Sequence, residues 1–351
     1  MVVVGGGVTG CACAFVLAEA GLRVRLHEAR EVASGASGRN GGFALRGVAA
    51  PFDVMAGSIG VEAARRIWVW TEAALDRIES LAGDAFRRTG SLRIATDGDE
   101  RDSLRAEHDA LRDAGLAVEW VEELEPQLRD RFDSAIFHPV DGALQPARWV
   151  RRLAVLAAEA GVEIVEGNRV ESVESLEAGA VVVATDGYPS GLLGALEGLI
   201  IPTRGQMVAT EPLAERLYEL PHYSRHGFDY WQQLPDGRLA VGGNRDVALE
   251  TEFTAEEVVT ETIQDALDRF VAELAGRPVA ITHRWAGIFG LVLDFLPVVG
   301  RVPGTENVWV AGGYSGHGNV LGFACGELVA AAILGREAPG MELFDPARLL
   351  G

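Results

Sequence analysis

The stretch MVVVGGGVTGCACAFVLAEAGLRVRLHE, residues 1–28, predicts a β-strand, a glycine-rich turn, a helix and a second strand, in that order. In the turn, Gly5 makes the tight bend, Gly7 allows a pyrophosphate to approach, and Gly10 lets the helix pack against the strand. Glu28 follows 18 positions after the last of these glycines, where a carboxylate accepts hydrogen bonds from the ribose of an ADP group. The stretch therefore predicts a dinucleotide site at a helix N-terminus, the alternative being a glycine-rich turn of an unrelated α/β protein.

Two later segments repeat this alternation of strand and helix. The first runs from a helix that begins at Pro146 to a buried strand at 180–184, and the second holds a strand at 307–311, a glycine-rich turn and a helix at 320–334. Such separated pieces predict a discontinuous, Rossmann-like α/β domain with insertions. We assign to this domain residues 1–50, 134–202 and 285–351, and to a second domain residues 51–133 and 203–284.

The inserted regions mix helical and strand patterns. Amphipathic helices are predicted over 61–81 and 101–114, strands over 205–209 and 230–234, and a further helix over 255–274. This mixture favours an α+β second domain, with a mixed or antiparallel sheet that faces the substrate.

The charge composition excludes several functions. The chain has 351 residues with 31 basic and 51 acidic side chains, a net charge of −20, and every basic residue is arginine. Without lysine there is no Schiff-base lysine, no pyridoxal-phosphate anchor and no P-loop lysine. The acidic balance argues against nucleic acid and anionic membranes as partners, whereas it would attract a cationic small molecule.

Cysteine and hydropathy indicate the compartment. The three cysteines, Cys11, Cys13 and Cys325, lie in apolar segments, which favours buried reduced thiols over disulfides or a metal site. No transmembrane segment or signal peptide is apparent. We expect a cytoplasmic protein without a bound metal.

Four stretches together resemble the FAD-dependent amine and amino-acid oxidases, the D-amino-acid oxidase (DAO), glycine oxidase and sarcosine oxidase relatives. The stretches are GGGVTG at 5–10 with Glu28, GASGRNGGF at 35–43, TRGQM at 203–207 with DYWQQLPDGRLAVGG at 229–243, and DFLPVVGRVPG through GGYSGHG at 294–318. GASGRNGG most resembles the branch that contains gamma-glutamylputrescine oxidase. The resemblance implies noncovalent FAD as the cofactor.

The resemblance also implies which residues hold FAD. The ADP end would contact Val8, Thr9, Glu28, Ala29 and the backbone of Val170. The pyrophosphate and flavin would contact Ser37, Arg39, Asn40, Gly41 and Gly42, although this loop could be merely flexible and Arg39 a surface ion-pair partner. The C-terminal turn would add Gly313, Gly316, Gly318, Asn319 and Val320, with the positive end of the last helix directed at the flavin.

Three residues are candidates for the reaction itself. Tyr230 falls where relatives place a tyrosine that contacts the substrate, or it is a half-buried strand residue. His317 could transfer a proton or only shape the flavin loop. Phe289, with Trp285 and Tyr314, could form an apolar wall around the reacting carbon, or all three could be core aromatics.

The family's carboxylate clamp is missing at its expected positions. Relatives place one arginine two residues after Trp-Ala-Gly, where this chain has Phe289, and another near Asn319. We therefore expect an amine that has no carboxylate on the reacting carbon. A D-amino-acid or glycine oxidase with a rearranged clamp, formed by Arg46, Arg204 or Arg225, is the alternative.

The chemistry that the resemblance implies is hydride transfer from the amine-bearing carbon to flavin N5, which gives an imine that water hydrolyses. Dioxygen would reoxidise the flavin and yield hydrogen peroxide, but the lysine that promotes this step in sarcosine oxidases has no counterpart here, so another electron acceptor stays open. A noncatalytic flavin-binding subunit of a larger complex is the third hypothesis.

Overall fold

A computed structural model describes residues 1–188 and 191–350 of the chain. Its strands are β1 Val2–Val4, β2 Arg25–His27, β3 Phe43–Ala44, β4 Phe86–Arg87, β5 Ser91–Ala95, β6 Glu119–Val121, β7 Ser134–His138, β8 Gly142–Leu144, β9 Glu163–Val165, β10 Val181–Val183, β11 Ile201–Thr210, β12 His222–Ser224, β13 Asp229–Gln233, β14 Leu239–Gly243, β15 Ile281–Leu291, β16 Val298–Arg301 and β17 Val308–Gly312. Its helices are α1 Val8–Glu19, α2 Ala36–Arg39, α3 Phe52–Ile59, α4 Val61–Ala82, α5 Gly98–Asp113, α6 Pro126–Arg129, α7 Pro146–Glu159, α8 Glu261–Ala275 and α9 Val320–Ile333.

The first strand lies inside a six-stranded sheet with the order β16-β17-β10-β1-β2-β9. All neighbours in it are parallel except β16 and β17. Helices α1, α4, α7 and α9 share a single hydrophobic core with this sheet. Since parallel strands end at the same edge, the residues that follow β1, β2, β10 and β17 all meet there. The predicted discontinuous α/β fold is confirmed.

The second sheet has eight strands in the order β15-β11-β14-β13-β12-β5-β7-β6 and is antiparallel apart from the β12–β5 pair. Helix α8 packs against it over a core that includes Trp231, Leu267 and Phe270. The mixed sheet of the second part is thus confirmed. The division into two domains stays a prediction. Strands β7 and β15 both pair within the eight-stranded sheet, although the predicted boundaries assign 134–138 and 285–291 to the nucleotide-binding domain.

One predicted helix begins later than expected. The pattern indicated a helix over 255–274, but α8 starts at Glu261. Two contacts hold the preceding segment outside the helix: the Glu257 carboxylate bonds to Arg30, and the Thr260 amide donates to Gln206 Oε1 at 2.9 Å. Tertiary contacts here outweigh the local periodicity.

The thiols of Cys11, Cys13 and Cys325 are free and buried. Across residues 1–188 and 191–350, no helix combines the length and the hydrophobicity that a bilayer crossing requires. The same residues contain no group of three histidine, cysteine or acidic side chains arranged to hold a metal ion.

Candidate active site

A cavity of about 630 Å³ lies at the carboxyl edge of the six-stranded sheet and extends to the second sheet. Most of the predicted site residues line it. From the dinucleotide turn these are Gly5, Gly7, Val8, Thr9, Glu28 and Ala29. From the 35–43 loop they are Ser37, Arg39, Asn40 and Gly41, and from the segment after β9 it is Val170. From the second sheet and the C-terminal turn they are Tyr230, Phe289, Gly316, His317, Gly318 and Asn319.

The dinucleotide turn has the geometry that its glycines predict. Gly5 has a φ of +112°, and a Cβ at Gly10 would lie 1.9 Å from the Gly5 carbonyl oxygen. The Gly6 amide donates to Glu28 Oε2 at 2.7 Å, and the Val8 amide donates to the Ser37 hydroxyl at 3.0 Å. The turn is therefore closed against α1, and the first amide of the helix is bonded to the 35–43 loop.

An amide pair joins the 35–43 loop to the C-terminal turn. Asn40 Nδ2 donates to Asn319 Oδ1 at 3.0 Å, and Asn319 Nδ2 donates to Asn40 Oδ1 at 2.9 Å. Asn319 Nδ2 also donates to the Phe43 carbonyl at 2.7 Å. Two stretches that lie 279 residues apart are thus held as one wall.

Four predicted cofactor residues lie behind the wall rather than on it. Gly10 packs as described above. Gly42 has a φ of +74°, and a Cβ there would lie 2.2 Å from the Leu144 carbonyl oxygen. Gly313 faces the hydrophobic core at Val292, and Val320 is fully buried at the start of α9. Each supports a residue that lines the cavity.

Aromatic rings surround the end of the cavity at the second sheet. The Tyr230 ring packs edge-on against Phe43 at 6.0 Å between centroids, and Phe43 packs edge-on against Tyr223 at 6.3 Å. Between the rings, Gly205 on β11 pairs directly with Gly287 on β15. A Cβ at Gly205 would lie 3.7 Å from the Tyr230 hydroxyl and 3.8 Å from the Phe289 ring. Gly205 leaves a floor without a side chain between Tyr230 and Phe289, whereas Gly287 packs against Arg39, whose Cβ would lie 3.1 Å from a Cβ there.

Of the three aromatics predicted to form an apolar wall, only two line the cavity. Phe289 and Tyr314 do so, the latter with its hydroxyl 2.9 Å from Thr9 Oγ1. Trp285 does not; its Nε1 donates to the Arg39 carbonyl at 2.7 Å and so holds the 35–43 loop against β15.

Burial sets the protonation of the two titratable candidates. Removal from water raises the pKa of Tyr230 to about 12, so the phenol is protonated at neutral pH. Removal from water, with the nearby charge of Arg93, lowers the pKa of His317 to about 4, so the imidazole is neutral. Both groups are therefore uncharged hydrogen-bonding groups at neutral pH.

The three arginines considered as a substitute clamp all have other partners. Arg204 forms a buried ion pair with Glu252 at 2.7 Å. Arg225 binds Asp229 at 2.6 Å as well as Asp246, and the Arg46 guanidinium lies 3.2 Å from Glu72. None of the three lines the cavity. Their predicted role in holding a substrate carboxylate is not supported by these contacts.

Two residues that line the cavity, Asp186 and Glu257, were not predicted from the sequence. Asp186 follows β10 at the shared strand edge, and its carboxylate accepts from the amides of Gly290 at 3.0 Å and Gly313 at 2.8 Å. The sequence feature that could have indicated Asp186 is its place as an acidic residue shortly after the buried parallel strand β10. Glu257 bonds to Arg30 and to the Tyr188 hydroxyl beside the cavity, and no local pattern announced that contact.

Comparison with known proteins identifies relatives of the whole fold. A family model described as FAD dependent oxidoreductase (DAO) matches residues 1–332. The chain is 30% identical to a probable oxidoreductase, OrdL, of Rhizobium meliloti, over 95% of this chain and 82% of that protein. It is 27% identical to the gamma-glutamylputrescine oxidoreductase of Escherichia coli, over 95% and 83% of the two chains. The crystal structure of glycine oxidase from Geobacillus kaustophilus superposes with a TM-score of 0.78 at 24% identity, covering 98% and 97%.

Proposed function

This chain belongs to the DAO family of FAD-dependent oxidoreductases, and on that premise we propose that it oxidises the C–N bond of an amine. The product is an imine, which water hydrolyses to a carbonyl compound and to ammonia or a smaller amine. The observation that carries the proposal is a single cavity, which joins the dinucleotide turn to an end walled by Tyr230 and Phe289. A dinucleotide cofactor and a small substrate thus have one shared space in which to react.

The residues around the cavity fit FAD, the cofactor of the family. The N-terminus of α1 and the Glu28 carboxylate offer partners for a pyrophosphate and a ribose. The floor at Gly205, between Tyr230 and Phe289, leaves room for a flat ring. We propose that the ADP end is held by Val8, Thr9, Glu28, Ala29 and Val170, and the remainder by Ser37, Arg39, Asn40, Gly41, Gly316, Gly318 and Asn319.

When bound, FAD supplies a hydride acceptor at flavin N5 and is reoxidised either by dioxygen, which yields hydrogen peroxide, or by another acceptor. The protein orients the substrate and excludes water from it. Tyr230, protonated because burial raises its pKa to about 12, donates a hydrogen bond to the substrate. Phe289 covers the reacting carbon, and the neutral His317 shapes the C-terminal turn without acting as a cationic acid.

The amine has to bind in its neutral form. The carboxylates among the described lining residues are those of Glu28, Asp186 and Glu257, and each already accepts hydrogen bonds from the protein. No carboxylate at the aromatic end is therefore available as a general base. We expect the rate of flavin reduction to rise with pH through the pKa of the substrate amine.

The test is an anaerobic visible spectrum of the purified holoprotein during titration with primary amines, secondary amines, glycine and D-amino acids. Loss of the flavin band with an amine supports the proposal, and readmission of air then reveals whether dioxygen is the acceptor. Bleaching by glycine or D-amino acids alone would favour the amino-acid oxidase instead. A flavin that no compound bleaches would favour the noncatalytic subunit, and a protein that takes up no FAD would refute the proposal.

A further inference from the structure

Four arginines line the cavity, and three of them have protein partners. Arg30 binds Glu257, Arg39 donates to the Ser34 carbonyl at 2.6 Å, and Arg169 lies 3.3 Å from Glu171. Arg245 lies two residues after the end of β14. Its side chain forms no hydrogen bond or ion pair with any residue in 1–188 or 191–350. Several described arginines, such as Arg23 and Arg301, also form no ion pair, but of these Arg245 is the one that lines the cavity.

The acidic groups near Arg245 are engaged elsewhere. Asp246, its neighbour in sequence, accepts from Arg225 Nη1 at 2.9 Å. Glu252 accepts from Arg204 Nη2 at 2.7 Å in a pair that is almost fully buried. Local carboxylates therefore leave the Arg245 guanidinium without a counterion.

Aromatic rings position this guanidinium. Its Cζ lies 4.6 Å from the centroid of the Phe228 ring and 5.5 Å from that of the Phe289 ring. Such cation–π contacts hold the group beside the two rings while leaving its five N–H donors unused. Partial burial lowers the pKa of Arg245, but a guanidinium keeps its charge at neutral pH. The donors must be satisfied by water or by a ligand.

Arg245 also lies at the end of the cavity where the reaction is proposed. Phe289, on which it stacks, borders the floor at Gly205, and Tyr230 is close enough to interact with its charge. A planar fork of donors matches the two oxygens of a carboxylate, whereas a phosphate dianion is usually met by several cations.

We propose that Arg245 binds a carboxylate of the amine substrate, an inference that rests on the proposed function. Arg245 then takes the role of the clamp that is absent at positions 289 and 319, from the segment that follows β14. It determines specificity: the substrate is an amine whose skeleton carries a carboxylate, and a carboxylate-free amine leaves the guanidinium without a counterion.

The test uses isothermal titration calorimetry on the FAD-loaded protein with propionate and its neutral isostere propionamide. We expect wild-type protein to bind propionate more tightly than propionamide. Arg245→Met is expected to weaken propionate binding at least about tenfold and leave propionamide unchanged, while Arg245→Lys retains part of the affinity. The matched control is Arg301→Met, because Arg301 also stacks on a ring, Trp309 at 5.3 Å, but lies outside the cavity.

The outcomes separate the two proposals. Equal propionate affinity in wild-type protein and in both Arg245 variants would refute the carboxylate site, even if amines reduce the flavin. Propionate binding that depends on Arg245, in a protein whose flavin no amine reduces, would support the site and refute the proposed function.

A comparison of substrates locates the carboxylate. Flavin reduction by glycine but not by 4-aminobutanoate would put the carboxylate on the reacting carbon, and the reverse would put it farther along the substrate. Faster reduction by methylamine and propylamine than by both acids would overturn the inference.

Discussion

Replacement of Asp186 tests whether one carboxylate holds together the strand edge on which the cavity is built. Asp186 follows β10 with a φ of +49° and accepts hydrogen bonds from the amides of Gly290, after the cavity-lining part of β15, and Gly313, after β17. Both glycines are buried, and this carboxylate is the acceptor for both of their amides. Asp186→Ala therefore leaves two buried N–H groups unpaired.

The expected loss in the free energy of unfolding follows from these two unpaired N–H groups. A buried donor without an acceptor costs about 1–3 kcal/mol, so two cost about 2–6 kcal/mol of the free energy of unfolding. This is a large share of the roughly 5–15 kcal/mol that stabilises a folded protein. Asp186→Asn keeps one acceptor oxygen and tolerates the positive φ, so we expect it to lose about half as much.

Urea unfolding of the protein without FAD, followed by tryptophan fluorescence, measures both variants. The control is Asp130→Ala, because Asp130 is exposed and accepts no hydrogen bond from the described residues; it is expected to change the free energy by less than about 0.5 kcal/mol. The reasoning is refuted if Asp186→Ala unfolds within about 1 kcal/mol of wild type, or if Asp186→Asn is the more damaging change.

Three further predictions concern other contacts. His222 is buried, and burial lowers its pKa from 6.5 to about 4. Because the unfolded chain takes up this proton first, the free energy of unfolding of the wild type should fall by about 3 kcal/mol from this group as the pH drops from 6.5 to 4. Urea unfolding of His222→Phe at the same pH values should lack that part of the loss. In a double-mutant cycle, Asn40→Ala and Asn319→Ala should show a coupling of about 1 kcal/mol in the free energy of unfolding. Strictly additive losses would mean that the hydrogen bonds between the two amides do not stabilise the fold. Glu257→Gln should weaken the contact between Arg30 and the segment that precedes α8, and so raise the dissociation rate of FAD several-fold in a dilution assay. An unchanged rate would exclude a role of this contact in retaining the cofactor.

The fold was predictable to a large extent because it depends on local patterns. The glycine turn, the helix after it and the strand that ends before Glu28 appear where the hydrophobic period and the glycines indicate. The start of α8 was wrong because Glu257 is held by Arg30, a residue 227 positions away. A periodic pattern contains no information about such a partner.

The sequence predicted which residues line the cavity, but not which charged groups form ion pairs with one another. The motifs named most of the residues that line the cavity, and they named Arg46, Arg204 and Arg225 as substitutes for a missing clamp. Only the folded chain reveals that acidic groups neutralise these three arginines while Arg245 has no acidic partner among the described residues. In sequence Arg245 resembles other arginines, because its distinguishing property, a place at the cavity without an acidic partner among the described residues, exists only in space.

The sequence by itself determined the dinucleotide turn and the order of strands and helices, since both follow from residue types at short, regular spacings. The FAD-dependent family was identified by the resemblance of four stretches to known relatives. The tertiary structure alone decided which distant groups meet: Asp186 with two strand ends, Asn40 with Asn319, and the Arg245 guanidinium with the rings of Phe228 and Phe289. Burial and electrostatic interactions depend on distance in space, and chain closure brings together groups whose separation in sequence carries no signal.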